Sequence, residues 1–124
     1  MEKEEGIVPD RLGAPVYEVK AELFKAMGHP VRVRVLEVLA AGDERSVSDL
    51  AAAVEVEASH LSQQLAVLRR AGLVSSRREV TTVYYSVKDP LVVDLLAVAR
   101  RLLISGLEES RELLADLQAA EAQQ

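Results

Sequence analysis

The stretch Ser59–Val74 reads SHLSQQLAVLRRAGLV, and it predicts a helix with one nonpolar face and one polar face. Leu61, Leu65 and Leu68 recur at helical spacing, so we expect them to face a core. The opposite side carries hydroxyl, imidazole, amide and guanidinium groups, and Gly72 is expected to end the helix. The polar side is therefore either the solvated face of an ordinary core helix or a surface that contacts another molecule.

The composition of the chain excludes several classes of protein. Its 124 residues, of which 49% are nonpolar, fit one small domain with its own core. There is no cysteine, so disulfides, thiolate metal sites and cysteine nucleophiles are excluded. The nonpolar runs are far shorter than the roughly 20 residues that cross a bilayer, and the acidic start MEKEEGIVPD does not have a signal-peptide pattern. We expect a cytoplasmic protein that does not enter membranes.

The charge is distributed unevenly along the chain. A net charge of -5 argues against a polyanionic partner, but residues 21–90 carry nine basic and nine acidic side chains. Within them, Ala58–Arg78 contains four arginines and no Asp or Glu. This local excess of positive charge suggests contact with nucleic acid, and a solvated arginine-rich face is the alternative.

Glycine and proline mark the first two helices. Residues 1–15 contain two of each and predict a flexible arm, after which a helix is expected from Val16 to a stop at Gly28. Pro30 suits the first position of a second helix, which Gly42 would end. The alternation in VRVRVL also fits a strand, but the proline start and the glycine stop favour a helix.

The remaining elements follow in a regular order. Ser46 and Asp49 have the spacing of a capping box and predict a short third helix just before the quoted stretch. The runs LVSSRREV and TTVYYSV predict an antiparallel hairpin. Pro90 then begins a helix that continues toward Gly106 and a last segment. We expect one domain over residues 16–118 and a frayed end over 119–124.

The first and last helices carry more nonpolar side chains than one small domain can cover. A helix–helix contact between two copies of the chain is the natural use of this excess. The predicted dimer interface comprises the nonpolar residues Val16, Leu23, Leu95, Val98 and Leu102.

A short capped helix closely followed by a second one is the arrangement that places the second helix in the major groove of DNA. With the hairpin behind it, this order resembles the ArsR/SmtB family of bacterial winged-helix transcriptional regulators from about Leu23 to Leu91. The motifs that carry the resemblance are LFKAMGHPVRVRVLEVL, SVSDLAAAV, LSQQLAVLRRAGLV and VYYSV, in the order and at the spacing of the family. It implies a mainly α fold with a small β-hairpin, a winged helix-turn-helix that dimerises through its N- and C-terminal helices. It also implies a homodimeric repressor of operator DNA that responds to a ligand, often a metal ion.

Matched onto this sequence, the recognition helix would span about Ala58–Ala71. Ser62 matches a serine that the family commonly uses at DNA, whereas Gln64 stands where a histidine is frequent. The family often has a glycine and basic residues at the hairpin tip, but this chain has EVTT over 79–82, so Arg77 and Arg78 are expected to supply most phosphate contacts there. The full predicted DNA-contacting set is Ser59, His60, Ser62, Gln63, Gln64, Arg69, Arg70, Arg77, Arg78 and Thr82.

The metal-sensing positions of the family depart from its pattern. Hydroxyls and an acid, SVSD over 46–49, replace a Cys-Val-Cys-Asp run, and hydroxyls are poor ligands for soft metals. On the last helix Asp94 is followed by Leu96, and the later positions are Leu107 and Ser110, which leaves one carboxylate where zinc takes four ligands. We therefore predict no metal at either family site and no cofactor.

No catalytic pattern is visible in the sequence. There is no phosphate-binding glycine loop, HExxH motif or nucleophile elbow, so an enzyme is not expected. His29 precedes Pro30 and favours a capping role over metal ligation. For the signal that would switch DNA binding, the sequence leaves three alternatives, which are a small-molecule effector, a metal at a different site and no ligand. The rival to a DNA-binding regulator is a winged-helix protein-interaction module that has lost specific DNA binding.

Overall fold

The computed structural model describes residues 13–122, and they form a mainly helical fold with a small antiparallel sheet. Its elements are α1 (Val16–Met27), α2 (Pro30–Ala40), β1 (Arg45–Ser46), α3 (Val47–Val54), α4 (Ala58–Arg70), β2 (Val74–Glu79), β3 (Thr82–Val87) and α5 (Pro90–Ala122). The predicted fold class is confirmed. Most of the expected N-terminal arm, residues 1–12, lies outside the described part of the chain, as do residues 123 and 124.

Short polar contacts define where the first helices end and begin. Gly28 caps α1 and donates its backbone N–H to the carbonyl of Lys25 at 3.2 Å. His29 is the N-cap of α2, and its Nδ1 accepts the backbone N–H of Val31 at 3.1 Å. The capping role expected for His29 is therefore confirmed, and Pro30 occupies the first turn as predicted.

A tight turn joins α3 to α4. Ser46 caps α3 by accepting the backbone N–H of Asp49 on its Oγ at 3.1 Å. Glu55 adopts the left-handed conformation with φ of 58° and ends that helix. Only Glu55–Glu57 separate the two helices, which fixes the helix-turn-helix geometry predicted from the sequence.

The nonpolar face of α4 packs into the core. Leu61, Leu65 and Leu68 are at most 1% exposed, as their spacing predicted. Gly72 has φ of 78° and closes the helix, with the N–H of Leu73 bound to the carbonyl of Leu68 at 3.0 Å. This tight ending turns the chain directly into β2.

The predicted hairpin is confirmed, and a third strand joins it. Strands β2 and β3 pair from Val74 opposite Val87 to Glu79 opposite Thr82. The two-residue strand β1 pairs with the other edge of β3, so the strand order is β1-β3-β2. The sequence did not predict β1 because two residues are too short to show an alternating pattern.

The chain divides into two compact units between Val93 and Asp94. The unit before this point holds the core, whose fully buried large side chains are Val35, Leu36, Leu39, Leu50, Leu61, Leu65, Leu68, Leu73 and Val74. In the second unit, α5 runs through Gly106 without a break to Ala122, whereas the sequence suggested a separate last segment. No helix within residues 13–122 is long and apolar enough to cross a membrane.

The described part of the predicted frayed end is helical. Residues 119–122 belong to the last turn of α5, and alanine, which fills three of these four positions, has the highest helix propensity.

Candidate nucleic-acid interface

The outer face of α4 presents three free polar side chains to solvent. Ser59, Ser62 and Gln63 are exposed, and none of them forms a hydrogen bond with another described residue. The buried leucines of the same helix hold these side chains on a rigid element. Their hydroxyl and amide groups are therefore available to an external partner.

Two other residues of the predicted contact set lie on the flank of α4 that faces α2. Both His60 and Gln64 are half-buried, and they are one helical turn apart. The ring of His60 lies 6.3 Å from the ring of His29, centroid to centroid. The Oε1 atom of Gln64 accepts a hydrogen bond from Nη1 of Arg32 at 2.8 Å. The structure thus separates these two residues from the exposed group formed by Ser59, Ser62 and Gln63.

The arginines at the end of α4 also differ from each other. Arg70 is exposed and pairs with no other residue in the described range. Arg69 is exposed as well, but its Nη1 lies 3.4 Å from the hydroxyl of Ser76 on β2. A hydrogen bond of this length is weak, so the guanidinium of Arg69 remains accessible to a phosphate.

Strand alternation places the two adjacent arginines of β2 on opposite faces of the sheet. Arg77 shares its face with its cross-strand partner Tyr84, and its guanidinium carbon lies 4.7 Å from the centre of that ring. Arg78 shares the other face with Ser76, the residue that Arg69 contacts. Of these two arginines, Arg78 is therefore the one on the side of the sheet that α4 contacts through Arg69.

The guanidinium of Arg77 forms an ion pair with a carboxylate of the same chain. Its Nε and Nη2 atoms donate to the two carboxylate oxygens of Glu44 at 2.6 and 2.7 Å. Its Nη1 lies 3.8 Å from Glu79. The hydrogen bond from Arg77 is the main reason that the pKa of Glu44 is lowered, and the same bond raises the pKa of Arg77. This fork-shaped pairing leaves Arg77 less available to phosphate than the sequence suggested.

The tip of the hairpin is short and carries no free cation. Val80 and Thr81 form the turn between β2 and β3, and Val80 has a positive φ of 57°. Glu79 precedes the turn and Thr82 follows it, opposite each other in the ladder. Of the residues predicted to contact phosphate near the tip, Arg78 is exposed and Thr82 is half-buried.

Comparison with known proteins identifies the family to which this helix-turn-helix belongs. The family model described as bacterial regulatory protein, arsR family, matches residues 29–76, which contain both helices of the helix-turn-helix. The HTH-type transcriptional regulator Rv0081 of Mycobacterium tuberculosis strain H37Rv is 48% identical over 106 residues, covering 85% of this chain and 92% of that protein. The protein belongs to the ArsR family.

Other relatives of this ArsR-family protein agree in sequence and in fold. The crystal structure of Rv0081 superposes with a TM-score of 0.72 at 46% identity, covering 79% of this chain and 98% of that chain. The homodimeric winged helix-turn-helix domain of Mb0332 from Mycobacterium bovis gives a TM-score of 0.69 at 30% identity, with coverage of 80% and 95%. A transcriptional repressor SmtB homolog of Synechocystis is 38% identical, with coverage of 77% and 71%. The chain is a DNA-binding winged-helix regulator and not an enzyme.

The residues at one metal-sensing position of the ArsR family have structural contacts here. The hydroxyl of Ser46 caps α3 and lies 3.3 Å from the hydroxyl of Ser48. Among residues 13–122, no three His, Cys, Asp or Glu side chains are grouped so that they could hold a metal ion.

The sequence did not predict that Arg32 and Glu44 would contact residues of the predicted DNA-contacting set. Each is a charged residue in a run with no local pattern that distinguishes it from a solvated side chain. Their partners, Gln64 and Arg77, lie 32 and 33 residues further along the chain. Only the folded chain shows that Arg32 and Glu44 form hydrogen bonds with two members of the predicted DNA-contacting set.

Proposed function

We propose that this ArsR-family protein is a homodimeric repressor in the cytoplasm that inserts α4 of each subunit into the major groove of a pseudo-palindromic operator. Two such helices would enter successive grooves, about 34–36 Å apart along one face of the duplex. The related repressor of Synechocystis and the homodimeric domain of Mb0332 support this assignment by analogy.

One observation carries the proposal. The exposed side chains of Ser59, Ser62 and Gln63 on α4 form no hydrogen bond with another residue of 13–122, and no carboxylate occurs between Ala58 and Arg78. Amide and hydroxyl groups can pair with base edges, and glutamine suits adenine in particular. Arg69, Arg70 and Arg78 flank this face and supply attraction to phosphates without sequence preference.

The dimer is supported by exposed nonpolar side chains on α1 and on α5. Val16 is 67% exposed in the first unit, and Val98 and Leu102 are 48% and 73% exposed in the second. Such side chains are normally covered when they form a contiguous stripe. The remaining predicted interface residues, Leu23 and Leu95, are half-buried in the single chain.

We further propose that the switch does not use the metal sites of the family. Ser46 and Ser48 offer hydroxyls where thiolates would bind soft metals, and Ser46 is engaged as a helix cap. The effector, where one exists, would be a small molecule. Elemental analysis of the purified protein should find no stoichiometric transition metal, and neither EDTA nor added zinc should change DNA affinity. A zinc-dependent loss of DNA affinity would contradict this part of the proposal.

The readout role of α4 is tested by Gln63→Ala. DNA for the assay is a duplex that the wild-type protein enriches from a randomised library, and the unselected library is the reference. Loss of a good base contact should lower the preference for the enriched duplex by about 1–3 kcal/mol. Fluorescence anisotropy titrations with both DNAs measure this preference directly.

The matched control is Gln118→Ala, which removes the same side chain from an exposed position on α5. It should leave both affinities unchanged. An unaltered preference in Gln63→Ala would remove Gln63 from the readout set. Affinity for both DNAs should also fall steeply between low and moderate salt, because several phosphate contacts release counterions. A flat salt dependence would argue against phosphate contact altogether.

A further inference from the structure

The guanidinium of Arg32 on α2 joins three helices. Its Nε donates to the backbone carbonyl of Ala26 at 2.6 Å, and its Nη2 donates to the carbonyl of Lys25 at 3.3 Å. Its Nη1 donates to Oε1 of Gln64 on α4 at 2.8 Å. Three of its nitrogen atoms thus engage the end of α1 and the flank of the recognition helix at the same time.

The contacts to α1 are made at its C-terminal end, with the carbonyls of Lys25 and Ala26. Both residues belong to the last turn, where the carbonyl of Lys25 also accepts the N–H of Gly28 and the carbonyl of Ala26 lies beyond the reach of helical N–H donors. A cation at this end is also favoured by the helix dipole. The planar guanidinium presents its donors in fixed directions, so the bonds to α1 determine where the remaining donor points.

The contact to α4 adds a directional restraint on the flank of a helix whose inner face is already held by the buried leucines. Gln64 is half-buried and faces α2, whereas its neighbour Gln63 is exposed. Adjacent residues of a helix point about 100° apart, so a bond that holds Gln64 also determines the direction of Gln63. His60, one turn earlier on the same flank, lies beside His29 at the start of α2. The flank is therefore bonded to α2 at Gln64 and lies near the start of α2 at His60.

We propose that Arg32 is the positioning residue of the recognition helix, holding Gln64 against the end of α1 so that Ser59, Ser62 and Gln63 meet the bases at a fixed angle. This inference rests on the proposed function of α4 as the DNA reader. Gln64 then acts through orientation instead of reading a base itself. Arg32 bonds both to α4 and to α1, and α1 carries part of the proposed dimer surface. The orientation of α4 is therefore coupled to the helix that would join the subunits.

The test uses Arg32→Lys, Gln64→Leu and Gln64→Glu with the same enriched duplex and unselected library. Lysine offers one point charge instead of a fork, and leucine removes the acceptor. Arg32→Lys and Gln64→Leu should each lower the ratio of the two affinities about fivefold, the low end of the loss of a base contact, while the salt dependence stays unchanged. Gln64→Glu retains an acceptor for Arg32, so it should keep the ratio even if its added charge weakens both affinities.

A double variant separates orientation from a general loss of structure. If Arg32 acts through Gln64, Arg32→Lys should lower the ratio no further in the Gln64→Leu background. Arg34→Lys is the matched control, because Arg34 is exposed on the same helix. The two Gln64 variants leave the bonds to α1 in place, so their comparison is decisive even if Arg32→Lys folds poorly.

The contrary outcomes are distinct. A wild-type ratio in Arg32→Lys and Gln64→Leu, both folded, would overturn the positioning role and leave the proposed function standing. A changed sequence preference in Gln64→Glu, with Arg32→Lys unaffected, would instead identify Gln64 as a direct reader and overturn the inference. If the wild-type protein enriches no sequence at all, the proposed function fails first, and the positioning role fails with it.

Discussion

Val80 occupies an unusual backbone conformation at the tip of the hairpin. Its φ of 57° lies in the left-handed region, which β-branched side chains rarely adopt because Cβ approaches the backbone. The side chain is 88% exposed and so gains little from packing. Glycine, which the resemblance led us to expect near this tip, would adopt this conformation without strain.

We therefore expect Val80→Gly to raise the free energy of unfolding by about 1 kcal/mol, the relieved strain exceeding the added entropy of the unfolded chain. Thr81→Gly is the control, because Thr81 does not have a positive φ. It should be neutral or destabilising. Urea unfolding of both variants at one protein concentration measures the difference, and a less stable Val80→Gly would show that the tip is not strained.

Adjacent residues of one type can have different environments in the folded chain. The sequence grouped Arg77 with Arg78 as phosphate contacts, but strand alternation separates them. Glu44 then neutralises Arg77, whereas Arg78 remains free within the described residues. The alternation could be deduced from the sequence, but the partner of Arg77 could not, because Glu44 approaches it only after β1 pairs with β3.

At the scale of elements, the boundaries of α2, α3 and α4 were predicted well because their signals are local, whereas α5 continues through Gly106. Pro30 at the start of α2, Ser46 before α3 and Gly72 after α4 each act within a few residues of the chain. The inward leucines of α4 follow from helical periodicity in the same way. The two-residue strand β1 was missed because its existence depends on pairing with Tyr84 and Tyr85.

The cap of α3 predicts a measurable contribution of Ser46 to stability. Ser46→Ala removes the oxygen that accepts the backbone N–H of Asp49, and the loss of such a cap costs about 0.5–2 kcal/mol. Ser48→Ala removes an exposed hydroxyl that lies 3.3 Å from that of Ser46 but accepts no backbone N–H of the described residues, so it should change stability by less than about 0.5 kcal/mol. Thermal unfolding followed by circular dichroism compares the two. Equal effects would show that the hydroxyl of Ser46 does not stabilise the helix start.

At the scale of the whole molecule, the exposed nonpolar side chains of α5 are more than an isolated chain is expected to leave uncovered. Besides Leu102, the exposed leucines of the second unit are Leu103, Leu107, Leu113, Leu114 and Leu117. Their number is consistent with the proposed dimer. The nonpolar content of the last helix had already led us to expect a dimer contact. The structure adds that the buried core of the described residues lies before Val93.

Leu102→Asp tests the dimer surface. A carboxylate buried between subunits would raise the dimer dissociation constant about tenfold or more. Ala97→Asp places the same group at an exposed position about 140° around the helix, so it should leave the dimer intact. Sedimentation velocity across a dilution series measures both variants. Identical association of Leu102→Asp and the wild type would exclude Leu102 from the interface.

The sequence alone was enough to predict the order of the helices and the hairpin, the buried face of α4, the acid-free stretch around it and the resemblance to the ArsR family. The helices, the hairpin and the buried face depend on periodicity and capping, which act over a few residues, whereas the resemblance rests on the four matching motifs. Tertiary packing alone shows which polar side chains of α4 and β2 have a partner among residues 13–122. Arg32 reaches Gln64 and Glu44 reaches Arg77 across 32 and 33 residues, and such contacts depend on how helices and strands pack instead of on their spacing in the chain.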